Sequence, residues 1–426
     1  MLISHRFRGL WRNTDFLKLW VGETISLFGS SITSVALPLA AVINLQATPA
    51  QMGFLNAAFF SPYLLISLFA GVWIDRARRL PIMIGANIGR AILLGLIPFG
   101  FYIGFLEMNF LYVIAFLVGV LTVLFEIAYQ SYLPSLVKRT ELVEGNSKLQ
   151  ASASIAQVSG PSLGGILVSL FTAPVVILTH ALSCLISAYS LSLIRKPESK
   201  LEYQGEYKSV FREIKSGLHF LFTNSYLRAI AAQAATYNFF YQVVWTVIFI
   251  YMARELHFGP SSVGFVVTFL SVGALLGSLM ARYFEKRFAM GPTIIASMFI
   301  GCGAYSLIPI AGGSSYMALL ILVLSFFLIG FGVVISNIHV ISLRQSITPH
   351  HLLGRMNASY RFVITGTTPI GALIGGTLGS LIGLHMTLII GAVGTLSSLL
   401  WVLLSPIKSL YEIHDPAVQK SSSSSG

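Results

Sequence analysis

Three charged residues, Glu23, Arg90 and Glu126, stand inside long apolar runs where charge is costly. Counted inward from the basic end of each run, all three fall at a similar depth, roughly 10–12 Å at about 1.5 Å per residue. Inserting a lone charge at the middle of a membrane-length helix costs on the order of 2–3.5 kcal/mol, so mutual pairing or a watery cavity is expected. Arg90 can neutralise one carboxylate and leave the other able to exchange a proton. Glu126 is the first candidate for that role and Glu23 the second. In the competing arrangement Glu23 reaches the headgroups and Arg90–Glu126 is a static bridge.

A second set is polar and aromatic. Gln233, Tyr237 and Tyr241 recur at i, i+4 and i+8, with Asn238, Gln242 and Trp245 beside them. Gln130, Gln157, His180, Asn337 and His339 add further polar groups to other apolar runs. Amides and aromatic rings with few fixed charges suit a small amphiphilic ligand, since stacking and apolar contact tolerate variation in shape. Hydrogen bonding between helices accounts for the same residues. The sequence shows no nucleophile–base spacing, metal-ligand cluster or Gly-x-x-x-x-Gly-Lys-Ser/Thr phosphate loop, so neither an enzyme nor a metal or other cofactor is expected. His350-His351 reads as solvated loop.

Membrane-spanning helices must position these residues. Of 426 residues, 55% are hydrophobic and 10% charged, with a mean hydropathy of +0.80. No soluble domain needs that much apolar surface, and spans of about twenty residues leave room for about twelve helices. An all-α integral membrane protein with twelve transmembrane helices in two six-helix halves is expected. The first half places spans at about 16–43, 52–74, 82–105, 110–133, 146–170 and 174–194. The second places them at about 226–252, 261–284, 292–312, 316–344, 357–382 and 385–405. Cys184 and Cys302 both fall in apolar runs and imply no disulfide framework. The basic N-terminus leads into a retained first helix rather than a removed signal peptide.

The formal charge of +12 follows membrane topology and does not signal nucleic acid. Arg and Lys gather on alternate connections, and Arg254 is the one basic residue in the opposite set. Positive charge stays inside, so both termini are cytoplasmic. The organisation is then 1–194, a first six-helix half; 195–225, a cytoplasmic linker; 226–405, a second six-helix half; and 406–426, a disordered cytoplasmic tail. Within the linker, Val210, Phe211, Ile214, Leu218 and Leu221 recur at helical spacing and suit an amphipathic helix on the inner membrane face.

The halves match internally. Asn146, Gly160 and Gly164-Gly165 recur as Asn357, Gly371 and Gly375-Gly376, 211 residues on. Parallel repeats of this kind place a substrate site at their interface. Gly160, Pro161, Gly164 and Gly165 combine close helix approach with a proline that loosens one backbone hydrogen bond.

Gly71-x-x-x-Asp75-Arg76-x-x-Arg79 joins two apolar runs on the basic side, and a weaker copy begins at Gly277 and runs to Arg282, Lys286 and Arg287. This pattern resembles the loop between helices 2 and 3 of the major facilitator superfamily. Gly160-Pro161-x-x-Gly164-Gly165 resembles the superfamily's antiporter motif, with Ala156 where an earlier glycine is usual. The stretch from Phe125 through Pro134 to Gly165, with Leu353-Gly354-Arg355-Met356-Asn357, is similar to the drug-efflux branch that contains bacterial macrolide and enterobactin exporters. The resemblance covers residues 10–405. It implies a monomeric exporter in the cell membrane that moves an amphiphilic drug, macrolide or siderophore against protons by alternating access. It also implies that Asp75 braces the start of helix 11 to close the cytoplasmic side, with Arg361 as its candidate partner. An importer or lipid transporter of the same fold, and a non-transporting membrane sensor, are the competing functions.

Overall fold

The computed structural model describes residues 10–66, 70, 73–74, 77–138, 141–196, 198, 218–312, 315–349 and 353–410. All the long elements are helices. In chain order they are α1 Thr14–Leu39, α2 Pro49–Leu65, α3 Arg79–Tyr102, α4 Met108–Leu136, α5 Leu142–Leu170 and α6 Ala173–Ser192. Then come α7 Ser225–Ile250, α8 Pro260–Phe288, α9 Met290–Gly303, α10 Ser315–Ile347, α11 Leu353–Leu381 and α12 Leu384–Ser397, the last followed by a short helix Leu399–Leu403. Ten of these segments are long and apolar enough to cross a membrane. The described part of α2 is 17 residues long, and α7 carries the amide-rich stretch from Gln233 to Gln242.

The two halves start alike because their sequences cap alike. Asn13 accepts from the backbone of Asp15 and Phe16, both at 3.1 Å, and opens α1. Asn224, 211 residues on, accepts from Tyr226 at 3.0 Å and Leu227 at 3.2 Å and opens α7. An asparagine oxygen at this position satisfies amides that have no partner within the helix. Both helices end in a wider π turn, Ala40–Asn44 and Tyr251–Glu255. A left-handed residue follows each, Gln46 at φ 51° and His257 at φ 53°. The chain then reverses through matching backbone bonds, Ala47 N to Ala41 O at 2.9 Å and Phe258 N to Met252 O at 2.8 Å. The 211-residue repeat is therefore a repeat of backbone geometry.

That register corrects the second hinge. Pro49 and Pro260 open α2 and α8, and Arg79 and Met290 open α3 and α9, each pair 211 residues apart. The positions equivalent to Gly71 and Asp75 are Arg282 and Lys286, not Gly277 and Ala281. Gly277 instead packs against α10, where an added Cβ would meet Phe331 O at 2.6 Å. So the second hinge carries a cation at the position of the first hinge's acid.

The chain forms two compact units. One holds residues up to Ala47, Ala58–Gln204 and Gly259–Thr268; the other holds Thr48–Ala57, Gly205–Phe258 and the rest from Phe269. In the first unit α1 packs on α5 and α6, and α3 packs on α4 and α6. In the second, α7 packs on α11 and α12, and α9 packs on α10. The amphipathic stretch expected in the linker lies mostly outside the described residues. Its described end behaves differently from a membrane-surface helix, because Phe220 and Leu221 are buried in the core of the second unit.

Glu198, at the start of the linker, is tied to the first unit. Its carboxylate accepts from the backbone of Arg79 at 2.9 Å and Leu80 at 3.4 Å, and lies 3.9 Å from the Arg79 guanidinium. A carboxylate at a helix N-terminus satisfies free amides and meets the positive end of the helix dipole. Glu198→Ala is expected to lower stability by about 1–2 kcal/mol, the range for losing a good cap. The check is the thermal midpoint of the purified protein, and an unchanged midpoint would show that the contact contributes nothing.

Candidate functional site

In the first unit, α1, α3, α4 and α6 bring the charged residues together. Arg90 is 5% exposed, and its guanidinium lies 4.6 Å from the centroid of the Phe125 ring. Arg90 Nη2 donates to Asn87 Oδ1, and Asn87 Nδ2 donates to Ser187 Oγ on α6 at 2.9 Å. Glu23 interacts electrostatically with both Arg90 and Glu126. Glu126 Oε1 accepts from the Tyr63 hydroxyl at 2.9 Å. Phe125 stacks on Tyr129, centroids 6.1 Å apart. Glu23 Oε2, Arg90 Nε and both ring nitrogens of His180 are enclosed without a hydrogen-bond partner. Such atoms are costly unless the site offers them a partner in use. Glu23, Arg90 and Glu126 thus form one cluster. Asn87, Ser187 and Tyr63, which serve it, had no sequence signal beyond being polar residues in apolar runs.

In the second unit α7 presents an aromatic ladder. Tyr237 and Tyr241 stack with centroids 6.0 Å apart, Tyr241 and Trp245 with centroids 5.6 Å apart. Tyr305, just after α9, closes the ladder from the side, its hydroxyl 2.9 Å from that of Tyr237. A small cavity with room for about one water molecule lies here, lined by Tyr241, Trp245, Tyr305, Ile308, Phe326 and aliphatic side chains of α7, α8 and α10. Its lining carries no ionised group. Gln233 is buried and donates to Ser398 at 3.4 Å, which makes it a contact between helices. Gln130, Gln157 and Asn337 are exposed, and His339 is buried against its own helix, Nδ1 2.7 Å from Ile335 O.

The glycine motif of α5 has two faces. An added Cβ at Gly160 would meet Ser31, and one at Gly164 would meet Ile32 O at 2.8 Å, both on α1. At Gly165 it would meet Pro260 O at 2.4 Å and Gly264 Cα at 3.0 Å. Gly264 answers with Pro161 O at 2.3 Å. The second unit repeats this contact between Gly53 of α2 and Gly376 of α11, where a Cβ on Gly376 would meet Pro49 O at 2.6 Å. Gly53 and Gly264, the partners, were not singled out by the sequence motif.

Of the hinge residues, Gly71, Asp75 and Arg76 lie outside the described residues. Arg79 is buried and engaged with Glu198. Arg361 is exposed on the third turn of α11. α10 runs on to Ile347 and carries Arg344 in its last turn. The Arg344 guanidinium stacks over Tyr360 at 3.9 Å from the ring centroid.

Twelve helices in two repeated halves, with buried charge in one unit and an aromatic ladder in the other, define a transport scaffold. The Major Facilitator Superfamily profile matches residues 19–368 and 239–423, and the chain belongs to that family. It is a multi-pass membrane transporter of small molecules, not an enzyme. It is 24% identical over 379 residues to macrolide efflux protein A of Streptococcus pyogenes, covering 87% of this chain and 90% of the relative. It is also 24% identical over 375 residues to the multidrug efflux pump Tap of Mycolicibacterium fortuitum, covering 84% and 88%. Among solved structures, a variant of the nucleoside transporter NupG superposes with a TM-score of 0.74 at 11% identity, covering 92% and 99%. A bacterial homologue of the iron transporter ferroportin in an inward-facing state gives 0.68 at 17% identity, covering 92% and 98%. At these identities the structures share the fold alone.

Proposed function

We propose that the protein exports a small amphiphilic compound across the cell membrane in exchange for protons, by alternating access. One observation carries this most: equivalent positions in the two halves are furnished differently. Glu23, Arg90 and Glu126 correspond, 211 residues on, to Ala234, Gly301 and Asn337. Ser26, Ser30 and Ser34 correspond to Tyr237, Tyr241 and Trp245. One half holds the groups that can load a proton, and the other holds flat apolar surface for a ligand. The efflux names of the relatives favour export over import. Glu126 carries the proton, Arg90 balances Glu23, and the stacked rings of Tyr237, Tyr241 and Trp245 offer flat surface to an apolar part of the substrate.

The hinge acid Asp75 serves closure of the cytoplasmic side. The glycine contacts of α5 with α8 and α2 with α11 belong to the opposite side and must open in turn.

The direct test is accumulation of a panel of fluorescent drugs in cells with and without the protein, repeated with a protonophore. Lower accumulation that returns to control with the protonophore is expected. Higher accumulation on expression would mean import, and indifference to the protonophore would mean another energy source. Orientation is tested separately. With both termini inside, a cysteine replacing Gln46 reacts with an impermeant maleimide from outside and one replacing Ala77 does not; the reverse pattern would invert the topology.

A further inference from the structure

Asn87 is fully buried, one turn before Arg90 on α3, and Ser187 opposite it on α6 is fully buried as well. The Asn87 side chain uses both ends. Its carbonyl oxygen accepts from Arg90 Nη2 and its amide nitrogen donates to Ser187 Oγ at 2.9 Å. On the α4 side the Phe125 ring, 4.6 Å away, limits where the guanidinium can swing. The cation is therefore anchored by a neutral amide. An amide can hold a guanidinium without consuming its charge, whereas a carboxylate would pair with it. The charge stays available to Glu23, with which it interacts electrostatically. The other titratable groups of this cluster are Tyr63 on α2, Glu126 and Tyr129 on α4, and His180 and Cys184 on α6.

We propose that Asn87 is a positioning residue for proton exchange: braced by Ser187, it sets the distance between the Arg90 guanidinium and the two glutamates, and with it the pH at which they take up a proton. This builds on the proton-exchange reading above. Coulomb interaction varies inversely with distance and is weakly screened away from water, so a small displacement of a buried cation changes proton affinity severalfold. Asn87 touches no substrate and acts only through Arg90.

The test needs no substrate. The full-length protein, with carbon-13 in its glutamates, is placed in lipid nanodiscs, and the infrared band of protonated glutamate is followed as the pH is lowered, with the band of the Glu23→Gln/Glu126→Gln protein, which keeps every other glutamate, subtracted at each pH. Labelling keeps any aspartate out of the signal. Asn87→Asp spends the charge of Arg90 on the new carboxylate, so the glutamate midpoint is expected to rise by about one pH unit, a tenfold change in proton affinity. Asn87→Leu frees the guanidinium to close on a glutamate, so the midpoint is expected to fall. Ser187→Ala keeps Asn87 but removes its brace, and moves the midpoint the same way by a smaller amount. A merely structural Asn87 would lower the yield or thermal stability and leave the midpoint alone. Midpoints within about 0.2 pH unit of the unmodified protein in all folded variants would overturn the proposal. So would an unmodified protein in which no glutamate titration remains after that subtraction. If neither Asn87 variant folds, Ser187→Ala decides alone. Failure of proton-driven export is read separately, in the drug-accumulation assay, and does not alter these midpoints.

Discussion

Glu126→Gln is expected to bind substrate and exchange it passively while losing gradient-driven export. A membrane potential of 100 mV contributes about 2.3 kcal/mol per charge moved, and each 1.4 kcal/mol is tenfold, so one proton supports a substrate gradient of roughly fortyfold. In the variant that ratio should collapse to about one. Glutamine keeps a carbonyl oxygen where Glu126 Oε1 accepts from the Tyr63 hydroxyl at 2.9 Å, so the contact between α2 and α4 survives. What disappears is the ability to load a proton on one side and release it on the other. The measurement is substrate movement in proteoliposomes, by counterflow without a gradient and by pH jump with one. Counterflow should persist and the pH-jump response should vanish. If the variant pumps normally, the proton travels elsewhere, and Glu23→Gln is the next variant to examine.

The helices and their repeat were legible in the sequence because both rest on local signals. Hydrophobic runs give the spans, and glycines recurring at 211 residues mark helix faces that must approach closely. The caps at Asn13 and Asn224 obey the same spacing and strengthen it. The hinge copy was misplaced by five residues because Gly277 and Arg282 reproduce the letters of Gly71 and Arg76. Helix starts at Pro260 and Met290 fix the true register. Residues whose roles depend on a second helix were the ones missed. Asn87 gains its meaning from Ser187 on α6, and Tyr305 from the Tyr237 hydroxyl on α7. Periodicity along one helix shows which side of it is polar but not what faces that side. Arg344 was placed at the edge of a span because helix ends blur, and α10 runs three residues further, to Ile347.

Gly264→Leu is expected to drive α5 and α8 apart and to abolish export. An added Cβ would lie 2.3 Å from Pro161 O and 2.9 Å from Gly165 Cα, both backbone atoms that no rotamer can move. The rest of a leucine side chain has no room either, since Gly165 itself faces Pro260 O at 2.4 Å from its ideal Cβ position. Even a modest overpacking costs about 1–3 kcal/mol, and this one acts only while the two helices touch. In a two-state cycle a bias of that size shifts the population by about 5- to 150-fold toward the state in which they are separate. A transporter held in one state cannot complete turnovers, although it can still bind from the open side. The reporter is a cysteine in place of Ser162, whose hydroxyl lies 2.7 Å from that of Thr268 in this contact. Its labelling by an impermeant maleimide from outside should be slow with Gly264 and at least about fivefold faster with Gly264→Leu, the lower end of that shift. Gly376→Leu should do the same for the α2–α11 contact, where Gly53 Cα lies 2.8 Å from the added Cβ. Gly95→Leu is the control, because an added Cβ there meets nothing within 4 Å. If Gly264→Leu labels and exports like the unmodified protein, the contact is ordinary helix packing, and the gate on that side lies elsewhere.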